Sequence, residues 1–160
     1  MLNLKAITKI SLLCLIAATL LFIFIQSMIP PETSKAESDA VGGFIEEIIP
    51  PDTEVGAFVK VNLRKIAHFT EFFILGLEVS IYLILFTKKP HLKLLSLPTA
   101  LITAFFDESI QMFSGRGPSV FDVWIDFFGF FFASAVSYSV FYLAEFLAKR
   151  FLKLRGVKNG

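Results

Sequence analysis

Four long apolar segments divide this 160-residue chain and limit what it can fold into. They cover about residues 10–29, 66–87, 94–113 and 120–147. Each is close to the ~20 apolar residues with which an α-helix crosses a bilayer core. In a soluble domain, polar residues would interrupt the apolar ones at a period of two or about 3.6 residues. These four segments show no such periodic interruption. The sequence therefore predicts an all-α integral membrane bundle of four transmembrane helices, with residues 1–160 as a single domain.

The composition supports a membrane location. Hydrophobic residues make up 55% of the chain and charged residues 18%, whereas soluble domains carry about 25% charged residues. The formal net charge is only +1, and the pattern shows no basic face for nucleic acid. The single cysteine, Cys14, lies in an apolar run, so no intramolecular disulfide can form. We expect the lipid bilayer to be a partner and nucleic acid not to be one.

The first apolar segment also has an interpretation as a secretory signal peptide, which likewise has a charged start and an apolar centre. Against this, the segment approaches full spanning length, and residues 26–31 contain no small-x-small cleavage site. We expect a retained membrane helix that ends at Pro30 and Pro31, because neither proline can donate to the helical hydrogen-bond ladder.

Residues 30–65 form the only sizeable polar stretch, and this stretch is acidic. Apolar residues recur at helical spacing over 41–49, which indicates a short amphipathic segment on the membrane surface or over the mouth of the bundle. A solvated loop is an equally open alternative. A cap at Asp52 or Thr53 predicts a second short helix that leads into Arg64.

Positive charge predicts the orientation, because short cytoplasmic segments are rich in lysine and arginine. Four spans with both termini in the cytoplasm place every basic segment inside and the acidic residues 30–65 outside. We therefore expect a multi-pass protein of the cell membrane with a basic cytoplasmic tail over 148–160. The residues that define the inside are Lys5, Lys9, Lys88, Lys89, Lys93, Lys149, Arg150, Lys153, Arg155 and Lys158.

On this topology the ionisable residues of the last three spans converge at their outer ends. Arg64, His68 and Glu71 are four and three residues apart, so they share one helix face. The carboxylates of the later spans also fall at helical intervals and face a common interior. Such groups cost about 2.5–3.5 kcal/mol each near the bilayer centre, so they are expected to have partners. The predicted acidic or titratable members of this pocket are His68, Glu71, Asp107, Glu108, Asp122 and Asp126, and the predicted ligand-binding members are Arg64, Lys65, Gln111 and Arg116.

Three interpretations of the pocket stay open. One is an ion-pair network, in which five carboxylates exceed three fixed cations and a divalent metal, a shared proton or a cationic ligand group compensates. Another is an enzyme whose His68 and carboxylates act as acid and base, or bind a metal, on a lipid or isoprenoid phosphate gripped by Arg64 and Arg116. The third is a module that binds a lipid, a cell-wall precursor or a glycopeptide without turnover. Glu78, deeper in the second span, is expected to make a polar contact within the bundle.

Three motifs resemble those of the VanZ family of bacterial membrane proteins. They are Arg64-Lys65-x-Ala67-His68-Phe69-x-Glu71-Phe72-x-x-Leu75-Gly76, then Asp107-Glu108-x-x-Gln111-x-Phe113-x-x-Arg116, then Asp122-x-x-x-Asp126-x-x-Gly129. The chain departs from the usual pattern at Phe72, where relatives have tyrosine, and at Ser114, where they have proline. The resemblance implies a role in the bacterial cell envelope and in tolerance of teicoplanin-type glycopeptides, and it supplies no mechanism.

Overall fold

The computed structural model describes residues 3–117 and 119–154, and these residues form six helices and no strand. The predicted all-α class is therefore confirmed. Parts of the predicted basic tail, including Arg155 and Lys158, lie outside the described residues, as does Pro118 in the turn before the last helix. The helices are α1 (Leu4–Met28), α2 (Pro31–Glu46), α3 (Glu54–Phe86), α4 (Pro90–Lys93), α5 (Ser96–Phe113) and α6 (Val120–Leu154).

Three of the described helices, α1, α3 and α6, are long and apolar enough to cross a membrane. The fourth predicted span corresponds to α5, which is 18 residues long and carries Asp107, Glu108 and Gln111 near its end. These three polar residues are buried, whereas most of the large apolar residues of the helix are exposed. A span count of four stays a prediction. The exposed apolar residues of α5 include Leu101, Ile102, Phe105 and Phe106.

The boundary of α3 differs from the sequence prediction. Thr53 caps the helix as expected, because its hydroxyl accepts a hydrogen bond from the Gly56 N–H at 3.0 Å. The short helix predicted before Arg64 and the second span are one continuous helix over Glu54–Phe86. The reason is that no proline interrupts the hydrogen-bond ladder after Thr53, and the only early glycine, Gly56, packs against the Pro50 carbonyl.

The polar segment after α1 is also more helical than the sequence predicts. α2 begins at Pro31, well before the predicted segment over 41–49. Proline fits the first helical position, because an N–H group there would have no acceptor within the helix. The helix ends at Glu46, so the last apolar residues of the predicted 41–49 segment lie in the following turn. α1 ends at Met28, two residues before Pro30, as predicted.

α3 is the central helix of the bundle and packs along α6 and against α1, α5 and α2. The α3–α6 contact depends on small residues: a Cβ atom on Gly76 would lie 2.5 Å from the Phe130 carbonyl oxygen, and one on Gly129 would overlap the Phe69 carbonyl. On the α6 side of this contact, the small residues Gly129 and Ala133 are buried. The core between the helices consists of Ile23, Phe72, Leu75, Ala100, Ala104 and Phe130.

Polar contacts between the helices show their relative directions. Ser27 near the end of α1 contacts Asp107, which lies beside His68 of α3. Thr19, two turns earlier on α1, contacts Glu78, which comes after His68 on α3. α1 therefore runs antiparallel to α3. His68 of α3 lies beside Asp126 of α6, and further along the two helices Ser80 bonds to Ser134. The contacts therefore follow the same order along α3 and α6, so these two helices are parallel. The charged residues of the three motifs consequently lie at one end of the bundle, which we call the site end, and the α4 connection lies at the other.

Replacing Thr19 by valine is expected to lower the free energy of unfolding by about 0.6–1.7 kcal/mol, the range for hydrogen bonds between membrane helices. The Thr19 hydroxyl donates to Glu78 Oε1 at 2.9 Å, and Oε2 of this buried residue already has no donor. Unfolding in mixed micelles by increasing SDS measures the change. Thr70→Val is the control, since Thr70 is exposed and bonds only within its own helix. Equal losses in both variants would mean that the Glu78 contact contributes nothing specific.

Candidate functional site

Three of the predicted site residues meet at the site end, where α3, α5 and α6 come together. His68 Nδ1 lies 3.7 Å from Asp107 Oδ2 and 3.6 Å from Asp126 Oδ1. Both aspartate side chains are fully buried, and the His68 side chain is 13% exposed. We call these residues the His68 cluster. Its three members come from three different helices and from all three sequence motifs.

Asp107 is held in place by two donors. One carboxylate oxygen accepts from the Ser27 hydroxyl of α1, and the other accepts from Gln111 Nε2 at 2.7 Å. Gln111 is one turn after Asp107 on α5, so the two side chains lie on the same helix face. Its amide oxygen in turn accepts from Arg64 Nη2 at 2.7 Å. A relay of hydrogen bonds therefore connects Arg64 to the His68 cluster.

The other two cluster members have polar atoms without a hydrogen-bond partner. Neither carboxylate oxygen of Asp126 accepts a hydrogen bond in the described structure, although the side chain is fully buried. His68 Nδ1 is also buried and unpaired. Buried polar atoms of this kind are rare in native proteins, because each costs about 1–3 kcal/mol when its partner is missing.

A cleft of about 150 Å³ opens beside the cluster between α1, α2 and α3. We call it the arginine cleft, since Arg64 and Arg116 both line it, together with His68 and Glu71. Arg116 is only 7% exposed; it donates to the Gln26 carbonyl at 2.9 Å and to Ser34 Oγ at 2.5 Å. Its Nε has no acceptor.

A second cleft, of about 240 Å³, lies on the other side of His68 between α3 and α6. Asp122 and Lys65 line this α3–α6 cleft, and Arg64 and His68 line both clefts. Lys65 lies over the Phe121 ring, with Nζ 5.3 Å from the ring centroid. Six of the ten predicted site residues thus line one or both of two openings that meet at His68.

Glu108 contacts the turn before α6 rather than the His68 cluster. Its Oε1 accepts a hydrogen bond from the Ser119 N–H just before α6, and its Oε2 is buried without a donor. Ser119 caps α6, because its hydroxyl accepts a hydrogen bond from the Asp122 N–H at 3.3 Å. Glu108 therefore fixes the turn between α5 and α6 and lines neither cleft.

The expected ion-pair network is not what holds the site together. Within residues 3–117 and 119–154, no lysine or arginine nitrogen is within ion-pair distance of any of the five predicted carboxylates. Both arginines are hydrogen-bonded to neutral acceptors instead. Among the described residues of the pocket, the carboxylates that lie within 4 Å of a basic side chain are Asp107 and Asp126, and that side chain is His68.

Sequence reasoning assigned the pocket to the last three spans and missed the contribution of the first two helices. Ser27 of α1 donates to Asp107, and Gln26 and Ser34 accept from Arg116. The hydroxyl of Ser114 also donates to the Ser27 carbonyl at 2.9 Å. A serine near the end of an apolar helix gives only a weak signal, because its hydroxyl bonds equally well to its own helix.

These features define a helical membrane protein with a charged cluster at one end of its bundle. A family model described as VanZ/LLP1 matches residues 11–142, and the chain belongs to this family. The match extends from α1 to the middle of α6 and includes every member of the His68 cluster. No curated protein and no solved structure matches the chain.

Proposed function

We propose that this chain is a four-span protein of the bacterial cytoplasmic membrane, with both termini in the cytoplasm and the arginine cleft open to the outside. The outward apolar face and the buried polar face of α5 support the fourth span. The start of α1, the α4 connection and the end of α6 carry the lysine-rich segments, and all three belong to the end of the bundle opposite the site end. This distribution supports the orientation.

Within that topology, the arginine cleft binds the phosphate group of an outer-leaflet lipid, such as the isoprenoid carrier of a cell-wall precursor. The observation that carries this proposal is that Arg64 and Arg116 line one cleft and hydrogen-bond only to neutral groups. Their positive charges are positioned but not neutralised by a direct carboxylate partner. A phosphate would accept the guanidinium donors that the exposed Arg64 side chain leaves free.

The location of the cleft suits a lipid ligand rather than a soluble one. α2 covers one side of the opening with a polar surface, whereas α1 and α3, which form its other sides, also expose large apolar residues such as Ile25 and Ile66. A lipid can keep its chain in the bilayer while its headgroup enters between α2 and α3. The half-buried Glu71 on the cleft wall can accept a hydrogen bond from a hydroxyl or amine of the same headgroup.

The family resemblance connects this ligand class to glycopeptide tolerance. A protein that holds a cell-wall precursor at the outer leaflet acts on the side of the membrane where teicoplanin-type antibiotics are present. The proposed contribution to tolerance is therefore a consequence of precursor binding rather than a separate activity of the chain.

A membrane enzyme that acts on the same lipid is the second candidate. The observation that favours it is His68, which lines the arginine cleft while its Nδ1 atom faces two aspartates. An imidazole beside a bound phosphate can transfer a proton during hydrolysis or transfer of that group. Release of inorganic phosphate or of a new lipid product from a purified sample distinguishes the enzyme from the binding module.

Binding of a long-chain polyprenyl monophosphate to the purified protein, measured by native mass spectrometry, tests the proposal. We expect binding of the phosphate and not of the matching polyprenol. Arg116→Gln and Arg64→Gln are expected to weaken it about 10- to 100-fold, because each removes charge-assisted hydrogen bonds worth about 1.5–3 kcal/mol. Lys60→Gln is the control, since Lys60 is exposed and paired with Glu46 at 2.8 Å. Equal binding of the alcohol, or unchanged binding by both arginine variants, would contradict the proposal.

A further inference from the structure

We propose that the His68 cluster is a binding site for one divalent transition-metal ion, of the class of Mn²⁺ or Zn²⁺. This inference deepens the proposed function, because the ion would lie beside the phosphate of a lipid bound in the arginine cleft. The ligand atoms are His68 Nδ1 and one carboxylate oxygen each from Asp107 and Asp126.

The spacing of these atoms matches a shared metal ion. One ligand atom from each residue lies within 4.8 Å of the other two, and the two distances from His68 Nδ1 are 3.6 and 3.7 Å. Ligand atoms about 2.1 Å from a common ion are about 3.0–3.5 Å apart at octahedral or tetrahedral angles. The two distances from His68 Nδ1 are within a few tenths of an ångström of the upper end of this range.

The unsatisfied atoms at the centre of the cluster are independent evidence for a ligand. Asp126 is fully buried, and neither of its oxygens has a donor in the described structure. His68 Nδ1 points toward these oxygens and is unpaired as well. A buried carboxylate that lacks donors and a cationic neighbour is strongly disfavoured unless it binds a metal or a proton. A divalent ion would satisfy both residues and neutralise the two aspartate charges.

The surroundings of Asp107 resemble the outer shell of a metal site. Metal-binding carboxylates are usually fixed by further hydrogen bonds that orient them. Asp107 accepts from Ser27 and from Gln111, and Arg64 fixes the Gln111 amide in turn. The side chain is therefore oriented before any ion arrives.

The donor set decides the class of metal. One imidazole nitrogen with two carboxylates suits Mn²⁺, Zn²⁺ or Fe²⁺, whereas Ca²⁺ and Mg²⁺ prefer oxygen ligands alone. Three protein ligands also leave coordination positions open, as in sites where a water or a substrate oxygen binds the ion. Because His68 lines both clefts, an open position can be reached by a phosphate oxygen held at Arg64 or Arg116.

Metal binding is tested on the full-length protein in detergent, after treatment with EDTA and without added lipid. Titration with Mn²⁺, followed by electron paramagnetic resonance, is expected to show one ion per chain. Asp126→Asn and His68→Gln are expected to weaken the affinity at least about ten-fold, because each removes one of three ligands. Asp52→Asn is the matched control, since Asp52 is exposed and distant in sequence from the cluster.

A spectroscopic measurement keeps the test independent of folding defects in the variants. Electron spin-echo modulation of bound Mn²⁺ is expected to show coupling to an imidazole nitrogen in the unmodified protein. Absence of stoichiometric Mn²⁺ and Zn²⁺ binding, or bound Mn²⁺ without imidazole coupling, would overturn the site and leave a protonated Asp126 as the explanation. Polyprenyl phosphate binding without metal binding rejects only this inference. Metal binding without arginine-dependent lipid binding rejects only the proposed function.

Discussion

Cells that owe teicoplanin tolerance to this protein are expected to become as sensitive as the deletion strain when Asp107 is replaced by asparagine. Asp107 is fully buried, and its two oxygens accept hydrogen bonds from Ser27 and Gln111. Asparagine has the same shape but only one acceptor, so its amide nitrogen faces one of these donors. The mismatch leaves a buried donor unsatisfied, at a cost of about 1–3 kcal/mol.

The effect is expected to extend from Asp107 to the arginine cleft. If the Gln111 amide turns away from residue 107, the Gln111 amide oxygen no longer faces Arg64. The Arg64 guanidinium then loses the hydrogen-bond acceptor that holds it in position. The substitution also removes one of the two negative charges that face His68. A single near-isosteric change therefore disturbs both the cluster and the anion-binding group, which is why complete loss of tolerance is expected.

Broth-dilution susceptibility to teicoplanin, in a deletion strain complemented at matched membrane levels, measures this outcome. Asp52→Asn is expected to restore tolerance fully, and Ser27→Ala to restore it in part, since Asp107 then keeps the Gln111 donor. Full tolerance with Asp107→Asn would show that the relay is not needed for function. Unchanged susceptibility of the deletion strain itself would contradict the proposed contribution to glycopeptide tolerance.

The convergence of the His68 cluster could be predicted from the sequence because spacing and topology both constrain it. Intervals of three and four residues determine which side chains share a helix face, and the positive segments determine which helix ends lie together. His68, Asp107 and Asp126 lie close to one another in the structure as those two rules require. The capping role of Ser119 and the buried position of Gly129 follow from equally local rules.

The partners of the arginines could not be predicted in this way. Charge counting favours carboxylates, but Arg64 bonds to an amide and Arg116 to a backbone carbonyl and a hydroxyl. Backbone acceptors carry no sequence signal, and the position of α2 relative to the loop at Arg116 depends on tertiary packing. The start of α2 at Pro31 was missed for a related reason, since a proline that ends one helix can also begin the next.

A leucine at position 129 is expected to prevent the bundle from folding, and an alanine there to destabilise it by about 1–3 kcal/mol, as overpacked cores are. Any Cβ atom on Gly129 would overlap the Phe69 backbone carbonyl of α3, which cannot rotate away as a side chain can. The helices would have to separate along their closest contact. Thermal unfolding followed by size-exclusion chromatography in detergent measures the loss. Gly43→Ala is the control, because a Cβ atom there would meet nothing within 4 Å.

The Gly129 substitution is also expected to weaken Mn²⁺ binding in the molecules that do fold. Phe69 follows His68 directly, and Gly129 lies one turn after Asp126, so separation at this contact lengthens the 3.6 Å distance between His68 and Asp126. Gly76→Ala provides the comparison, since it forces the same two helices apart at Phe130, deeper in the bundle. We expect similar losses of stability from both alanine variants but a larger loss of Mn²⁺ affinity from Gly129→Ala. Equal affinities in the two variants would mean that helix separation at Gly129 is not transmitted to the cluster.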